Sequence, residues 1–301
     1  MKSKIVPHHS DDMFRAVWDT AYDGMVLVNQ AGDIVSCNPV ACKIFGYDEV
    51  ELVDQPVDML IPLSARGHHT ELMGNFFHGG ESRMMGSGRE IKGRRKNGKN
   101  VSLELGLNKF TYKGEILVLA ALRDISERKK LDRKLTRLAY YDQLTGLANR
   151  RYFEKQLQDR LLTAQRYGEK FSIIYMDLNK FKEVNDTLGH KAGDAVLKQS
   201  AQRIKSALRA CDLLARMGGD EFVSIVGETK SVPECEIVAE RIIKSFRQPM
   251  EVSNNKLSIG VSLGIAMYPV HGEGEDLLIK RADNAMYKAK RSGGMTYSFY
   301  K

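Results

Sequence analysis

An aspartate at the end of an apolar run and a glycine pair followed by two acids carry the chemistry of this chain. Asp177 follows residues 171–176, Phe-Ser-Ile-Ile-Tyr-Met, which read as a buried strand. Gly218-Gly219-Asp220-Glu221 separates the strand-like stretches 213–217 and 222–226. That is the pattern of a hairpin whose tip lets a ligand approach the backbone with no Cβ in the way. If the hairpin pairs beside the strand that ends at Asp177, then Asp177, Asp220 and Glu221 converge. Clustered carboxylates repel one another unless a hard cation sits among them, and such oxygen ligands suit Mg²⁺ bound together with substrate phosphates. The expected chemistry is phosphoryl or nucleotidyl transfer assisted by one or two metal ions.

The rest of the chain must position those acids. Its 301 residues suffice for two domains. With 43% hydrophobic residues, 28% charged and 7 Pro, the composition is globular and not disordered, collagen-like or membrane-embedded. The longest apolar runs, 116–122 and 257–267, are shorter than the roughly 20 residues a spanning helix needs. Residues 1–8 carry charge without the apolar stretch of a secretory signal. Cys37, Cys42, Cys211 and Cys235 form no C-x-x-C pair, so reduced thiols in a cytoplasmic protein without a membrane span are expected. The net charge of +8 suits a partner bearing phosphate. The basic residues 89–99 contain Asn97-Gly98, a tight-turn signal, and read as the exposed end of a hairpin; no nucleic-acid partner is expected.

Strand-like segments at 25–28, 101–105 and 116–119, with short helical stretches between them, indicate a small α+β domain over 13–124, preceded by a tail at 1–12. Residues 125–139 form a charged helix in which Leu131, Leu135 and Leu138 follow the spacing of a coiled-coil seam. Over 140–301, amphipathic helices alternate with apolar strands, and Leu197, Ala201, Ile204 and Leu208 recur at helical spacing. Helices on a central, mainly antiparallel sheet are implied.

The second domain also carries an ordered set of motifs. These are Asp142-Gln143-Leu144-Thr145-Gly146-Leu147, Asp177-Leu178-Asn179-Lys180-Phe181-Lys182-Glu183-Val184-Asn185-Asp186, Gly193-Asp194, Arg216-Met217-Gly218-Gly219-Asp220-Glu221-Phe222 and Ala282-Asp283-Asn284-Ala285-Met286-Tyr287-Lys288-Ala289-Lys290. In these it resembles the GGDEF family of diguanylate cyclases, which convert two GTP into cyclic di-GMP and pyrophosphate on a palm-like fold. The resemblance implies that Asp177, Asp220 and the backbone carbonyl of Leu178 hold Mg²⁺ or Mn²⁺, with Glu221 a further metal-side carboxylate of the catalytic set. It implies that Asn185 and Asp194 bind the guanine edge. Lys182 and Lys290 would hold phosphates, with the backbone N–H groups of Lys180 and Phe181, against the Gly218-Gly219 turn. Each domain would bind one GTP, so the working form is a homodimer. Arg209-Ala210-Cys211-Asp212 stands where the family carries an inhibitory product site, implying feedback by cyclic di-GMP through Arg209 and Asp212. Two positions depart from the family pattern: Gly294 replaces a phosphate-binding arginine, and Asn179 replaces a common aspartate that is not a metal ligand. The alternative is a catalytically weak member acting as a cyclic di-GMP or GTP receptor.

Residues from about 13 to 128 resemble a PAS sensor domain, in Asp23-Gly24-Met25-Val26, Gly32-Asp33-Ile34-Val35, Phe45-Gly46-Tyr47 and the exit Arg123-Asp124-Ile125-Ser126. Arg66-Gly67-His68-His69 and Met85-Gly86-Ser87-Gly88-Arg89 are similar to the branch that includes haem oxygen sensors. This implies haem as a cofactor, with His69 at the proximal position and Arg89 at the distal one.

Overall fold

Asn38 illustrates how local sequence sets up the first domain. Its fully buried side chain accepts from Ala41 N at 2.9 Å and from Met25 N at 2.8 Å, and donates to Asp23 O at 2.9 Å. The first of these bonds caps a helix that has Pro39 at its start and Gly46, with φ of 78°, at its end. A computed structural model describes residues 9–79, 90–227, 231–252 and 255–301. The chain divides into two compact units, Met1–Asp132 and Arg133–Lys301.

The first unit runs α1 (His9–Thr20), β1 (Gly24–Val28), β2 (Ile34–Cys37), α2 (Pro39–Phe45) and α3 (Glu49–Leu52). Two 3-10 turns, Val57–Leu60 and Leu63–Ala65, lead to α4 (Arg66–Gly79), β3 (Glu90–Arg94), β4 (Asn100–Tyr112) and β5 (Glu115–Asp124). The strands form one antiparallel sheet in the order β2-β1-β5-β4-β3. The β3–β4 turn is the expected Asn97-Gly98 hairpin, with Gly98 at φ of 80°. Helix α1 begins ahead of the domain boundary set at residue 13.

Helix α5 (Ser126–Tyr140) contains the division between the units. Leu131, Leu135 and Leu138 are 58%, 63% and 50% exposed, so in a single chain the leucine seam faces solvent.

The second unit runs β6 (Ala148–Asn149), α6 (Arg150–Tyr167), β7 (Phe171–Asn179), α7 (Phe181–Leu188), α8 (His190–Ala207), β8 (Leu213–Gly218) and β9 (Glu221–Gly227). It continues with α9 (Val232–Phe246), a small β10 (Met250–Val252) and β11 (Asn255–Leu257) ribbon, β12 (Gly260–Tyr268), α10 (Glu275–Arg291) and β13 (Tyr297–Phe299). The main sheet is ordered β13-β12-β7-β9-β8-β6, antiparallel through its four central strands and parallel at both edges. The mixed α/β architecture with a mainly antiparallel sheet is therefore the one expected. Two details differ from it. The apolar run 257–267 is divided between β11 and β12, and β7 continues to Asn179, so Asp177 lies inside the strand and not beyond it.

Strand alternation sorts β7 between two cores. Ile174, Met176 and Leu178 join Val196, Ile204, Val238 and Ile242 from α8 and α9. Phe171, Ile173 and Tyr175 join Phe153 and Leu157 of α6 and Leu278, Ala282 and Met286 of α10. Asp177 continues this second row, which brings it to the α10 side.

Gly264 of β12, opposite Tyr175, is what lets α10 come so close. A Cβ at Gly264 would sit 2.0 Å from Ala282 O and 2.1 Å from Met286 N, both backbone atoms. Gly264→Ala must therefore displace the helix. It is expected to cost about 3 kcal/mol or more, read as a lowered urea midpoint in equilibrium unfolding.

Candidate functional site

The register of β7 against β9 places Asp177 directly opposite Glu221, and Leu178 N donates to Asp220 O at 3.3 Å. The hairpin thus pairs beside the strand as the sequence pattern requires, and three carboxylates meet at one end of the sheet. The tip turns through Gly218 and Gly219, at φ of 147° and 49°, and a Cβ at either would meet open space. Backbone conformation, not crowding, is why glycine suits both. Arg216 steadies the turn: Nε and Nη2 donate to Gly219 O at 3.0 and 2.7 Å, while Nη1 donates to both oxygens of Asp142 at 3.2 and 3.1 Å. Asp142 also accepts from Thr145 N at 2.8 Å and Thr145 Oγ1 at 2.6 Å. Burial works to raise its proton affinity, yet the Thr145 bonds and the Arg216 charge hold its carboxyl below the usual range.

Repulsion is visible at the acids themselves. Desolvation and then the charge of Asp177 push the Asp220 carboxyl up. Glu221 is pushed up by desolvation and by Asp283, Asp177 and Asp220, against a bond from Tyr175 Oη to its Oε2 at 3.1 Å. Asp283, on the exposed side of α10, is raised by desolvation and by Asp177. The positive charge among them is Lys290, whose Nζ lies 2.7 Å from Asp177 Oδ1. Among the described residues no three acidic, imidazole or thiol groups form a ready-made metal cage. The donor set nevertheless fits a hard cation: Asp177, Asp220 and Glu221 offer carboxylate oxygens, those of Asp220 and Glu221 with raised proton affinity, and an ammonium already stands against Asp177.

Lys180 is left-handed, with φ of 63°, and turns the chain from β7 into α7, whose first residue is Phe181. The N–H groups of that first turn have no partner within the helix, as suits an anion. Lys182 is exposed on the same turn. Asn185 of α7 is half-buried against Gly193 of α8, where a Cβ would lie 2.0 Å from Asn185 Oδ1. The missing side chain at Gly193 is thus what leaves room for Asn185 beside the exposed Asp194. The two departures from the family pattern touch one another. A Cβ at Gly294, which has φ of 71°, would lie 2.5 Å from Asn179 Nδ2, and Asn179 is held by Ser262 Oγ at 2.8 Å. An arginine at 294 would need Asn179 to move.

Away from this cluster, Asp212 Oδ2 accepts from Arg209 N at 2.8 Å and Oδ1 from Gly227 N at 3.2 Å, while the Arg209 side chain is exposed. In the first unit, a cavity of about 580 Å³ is lined by apolar side chains including Phe45, Leu60, Phe76, Leu103 and Leu122, and by His69. His69 Nδ1 lies 2.7 Å from Asp58 Oδ1, an arrangement that fixes the ring and leaves Nε2 for a ligand. Arg89 lies outside the described residues.

Four residues gain significance only here: Asp142, Tyr175, Arg216 and Asp283. Asp142, Arg216 and Asp283 stood inside recognised motifs without a role. The signal for Tyr175 was its place two residues before Asp177, on the same face of β7.

Comparison with known proteins gives this arrangement its class. Residues 139–296 match the model for the diguanylate cyclase, GGDEF domain, and residues 23–127 match a PAS domain model. The chain belongs to the GGDEF family and is a PAS–GGDEF protein. An uncharacterized signaling protein of Caulobacter vibrioides is 34% identical over 96% of this chain and 35% of its own length. Diguanylate cyclase TpbB of Pseudomonas aeruginosa is 41% identical over 52% of this chain and 36% of its own. A solved structure of the TpbB GGDEF domain aligns with a TM-score of 0.53 at 39% identity, covering 54% of this chain and 95% of that one. The GGDEF domain and coiled coil of DgcB from Caulobacter crescentus, solved with c-di-GMP, align with a TM-score of 0.53 at 26% identity, over 58% of this chain and 93% of that one. This chain spans about a third of the length of the two curated relatives.

A raised carboxyl holds its proton more tightly folded than unfolded, so its stabilising contribution is present below the usual aspartate range and lost as pH rises through the raised value. At neutral pH Asp220 is therefore a net cost. In EDTA, Asp220→Asn is expected to be more stable than wild type at neutral pH, with the gain disappearing as pH falls below the usual aspartate range, measured by urea unfolding at both.

Proposed function

We propose that the second domain condenses two GTP into cyclic di-GMP with release of two pyrophosphates. The observation that carries this reading is the convergence of Asp177, Asp220 and Glu221 through the β7–β9 register, with Lys290 at its edge. Asp177, Asp220 and the Leu178 carbonyl would hold Mg²⁺ or Mn²⁺, with Glu221 on the metal side. The ion, when bound, polarises the α-phosphate and screens the triphosphate charge. Asn185 and Asp194 grip the guanine edge, an amide and a carboxylate matching its acceptor and donor groups. Lys182, Lys290 and the backbone N–H groups at Lys180 and Phe181 hold the phosphates, and the Gly218-Gly219 turn leaves the nucleotide room.

One domain holds one GTP, so each 3′-oxygen must meet the α-phosphorus of a nucleotide on a second domain. Two O–P bonds form, two break, and each hydroxyl gives up its proton. Orientation of the two domains then governs the rate. A homodimer joined along the exposed leucines of α5 supplies that orientation, and the PAS domain would bias it between productive and unproductive pairings. Arg209, whose side chain is exposed, would take the product's guanine and phosphate as a feedback site beside Asp212.

The sensor cavity supports an apolar ligand held at His69. Haem is such a group, and the Asp58–His69 pair fits a proximal imidazole.

Full-length protein incubated with GTP and Mg²⁺, with nucleotides resolved by chromatography, is expected to yield cyclic di-GMP. Asp220→Ala should abolish turnover, and Arg209→Ala should keep the initial rate while relieving product inhibition. Bound nucleotide without turnover would favour the receptor role instead. In the same preparation, a Soret band that is lost in His69→Ala is expected if the cavity holds haem; a colourless protein assigns the cavity to another ligand.

A further inference from the structure

We propose that Tyr175 is a positioning residue for the reaction, its phenol holding Glu221 in the carboxylate cluster. This rests on the cyclase reading and adds a residue to it. Tyr175 is 7% exposed and stands two residues before Asp177, on the face of β7 covered by α6 and α10. Its ring packs with Phe153, Val223 and Met286, a space any large apolar side chain would fill. The hydroxyl at the end of that ring would be costly to bury without a partner. It donates to Glu221 Oε2 at 3.1 Å, so the strand that carries Asp177 also holds the acid opposite it.

The bond has a force to oppose. Asp177 across the ladder, Asp220 beside it and Asp283 from α10 all carry charge that repels the Glu221 carboxylate, and Lys290 is engaged with Asp177. Against that repulsion Tyr175 supplies a donor, and its hydroxyl engages only one of the two oxygens of Glu221, so Oε1 is not taken up by this bond.

Tyr175→Phe removes the hydroxyl and keeps the ring. In the full chain, kcat for cyclic di-GMP is expected to fall about tenfold, or the Mg²⁺ needed for half-maximal rate to rise about tenfold, with KM for GTP unchanged and the melting temperature lowered only as far as the loss of one hydrogen bond allows. Mn²⁺ affinity, read by electron paramagnetic resonance, should fall in Tyr175→Phe and in Glu221→Gln, and the double variant should lose no more than Glu221→Gln alone. Because that titration needs no turnover, it decides the proposal even if wild type makes no product, a result that would count against the cyclase reading. Unchanged kcat, Mg²⁺ requirement and Mn²⁺ affinity would overturn the proposal, as would a loss that adds fully to that of Glu221→Gln.

Discussion

Carboxylates crowded at the end of one sheet set the terms for the second domain. Asp177 and Glu221 face each other across a ladder, Asp220 is one residue from that pair, and Asp283 approaches from a helix. Bringing like charges together opposes folding, and the raised proton affinities of Asp220, Glu221 and Asp283 express that cost. The fold offsets it locally with the Lys290 ammonium, the nearby Arg216 charge and the Tyr175 phenol. A site whose acids repel one another and that a bound cation would relieve trades stability for function, as binding sites commonly do.

The surrounding elements follow from holding that arrangement. Gly264 lets α10 lie against β12, which delivers Asp283 and Lys290, seven residues apart on one helix face, to the strand ends. Gly193 makes room for Asn185, and the Arg216 fork ties the Gly218-Gly219 tip to Asp142 in the segment that follows α5. That same fork runs from the entry of the domain to the turn beside the acids. It offers a direct physical route between the position of the entering chain and the geometry of the hairpin.

Much of this was legible in the residues. Alternation and the glycine pair placed β7, the β8–β9 hairpin and their three acids, because strand period and turn chemistry are local properties. The Asn97-Gly98 turn and the helix α5 were legible for the same reason. The reach of β7 to Asn179 was not, since continuing a strand depends on partners in β12 and β9 that lie far away in sequence. Nor was the contact between Asn179 and Gly294, which only the packing of the chain after α10 beside β12 creates. The Lys290–Asp177 pair was hidden likewise: 113 residues separate a lysine read as a phosphate ligand from the acid it meets.

The first domain presents the complementary case, a largely apolar chamber whose His69 imidazole is oriented by Asp58, where the second has a cluster of charge. In the proposed cyclase, a ligand in that chamber and the pairing of two catalytic domains would act on the rate only through the acids, so the central claim concerns the acids' need for a cation. The most direct measurement is the thermal midpoint of the second domain's unfolding in the full chain as Mg²⁺ is added with a GTP analogue that cannot be cleaved between the α- and β-phosphates. A ligand that binds only the folded state raises that midpoint with its concentration. The account predicts a Mg²⁺-dependent rise in wild type that Asp177→Asn lacks, whereas a wild-type midpoint indifferent to Mg²⁺ would contradict it.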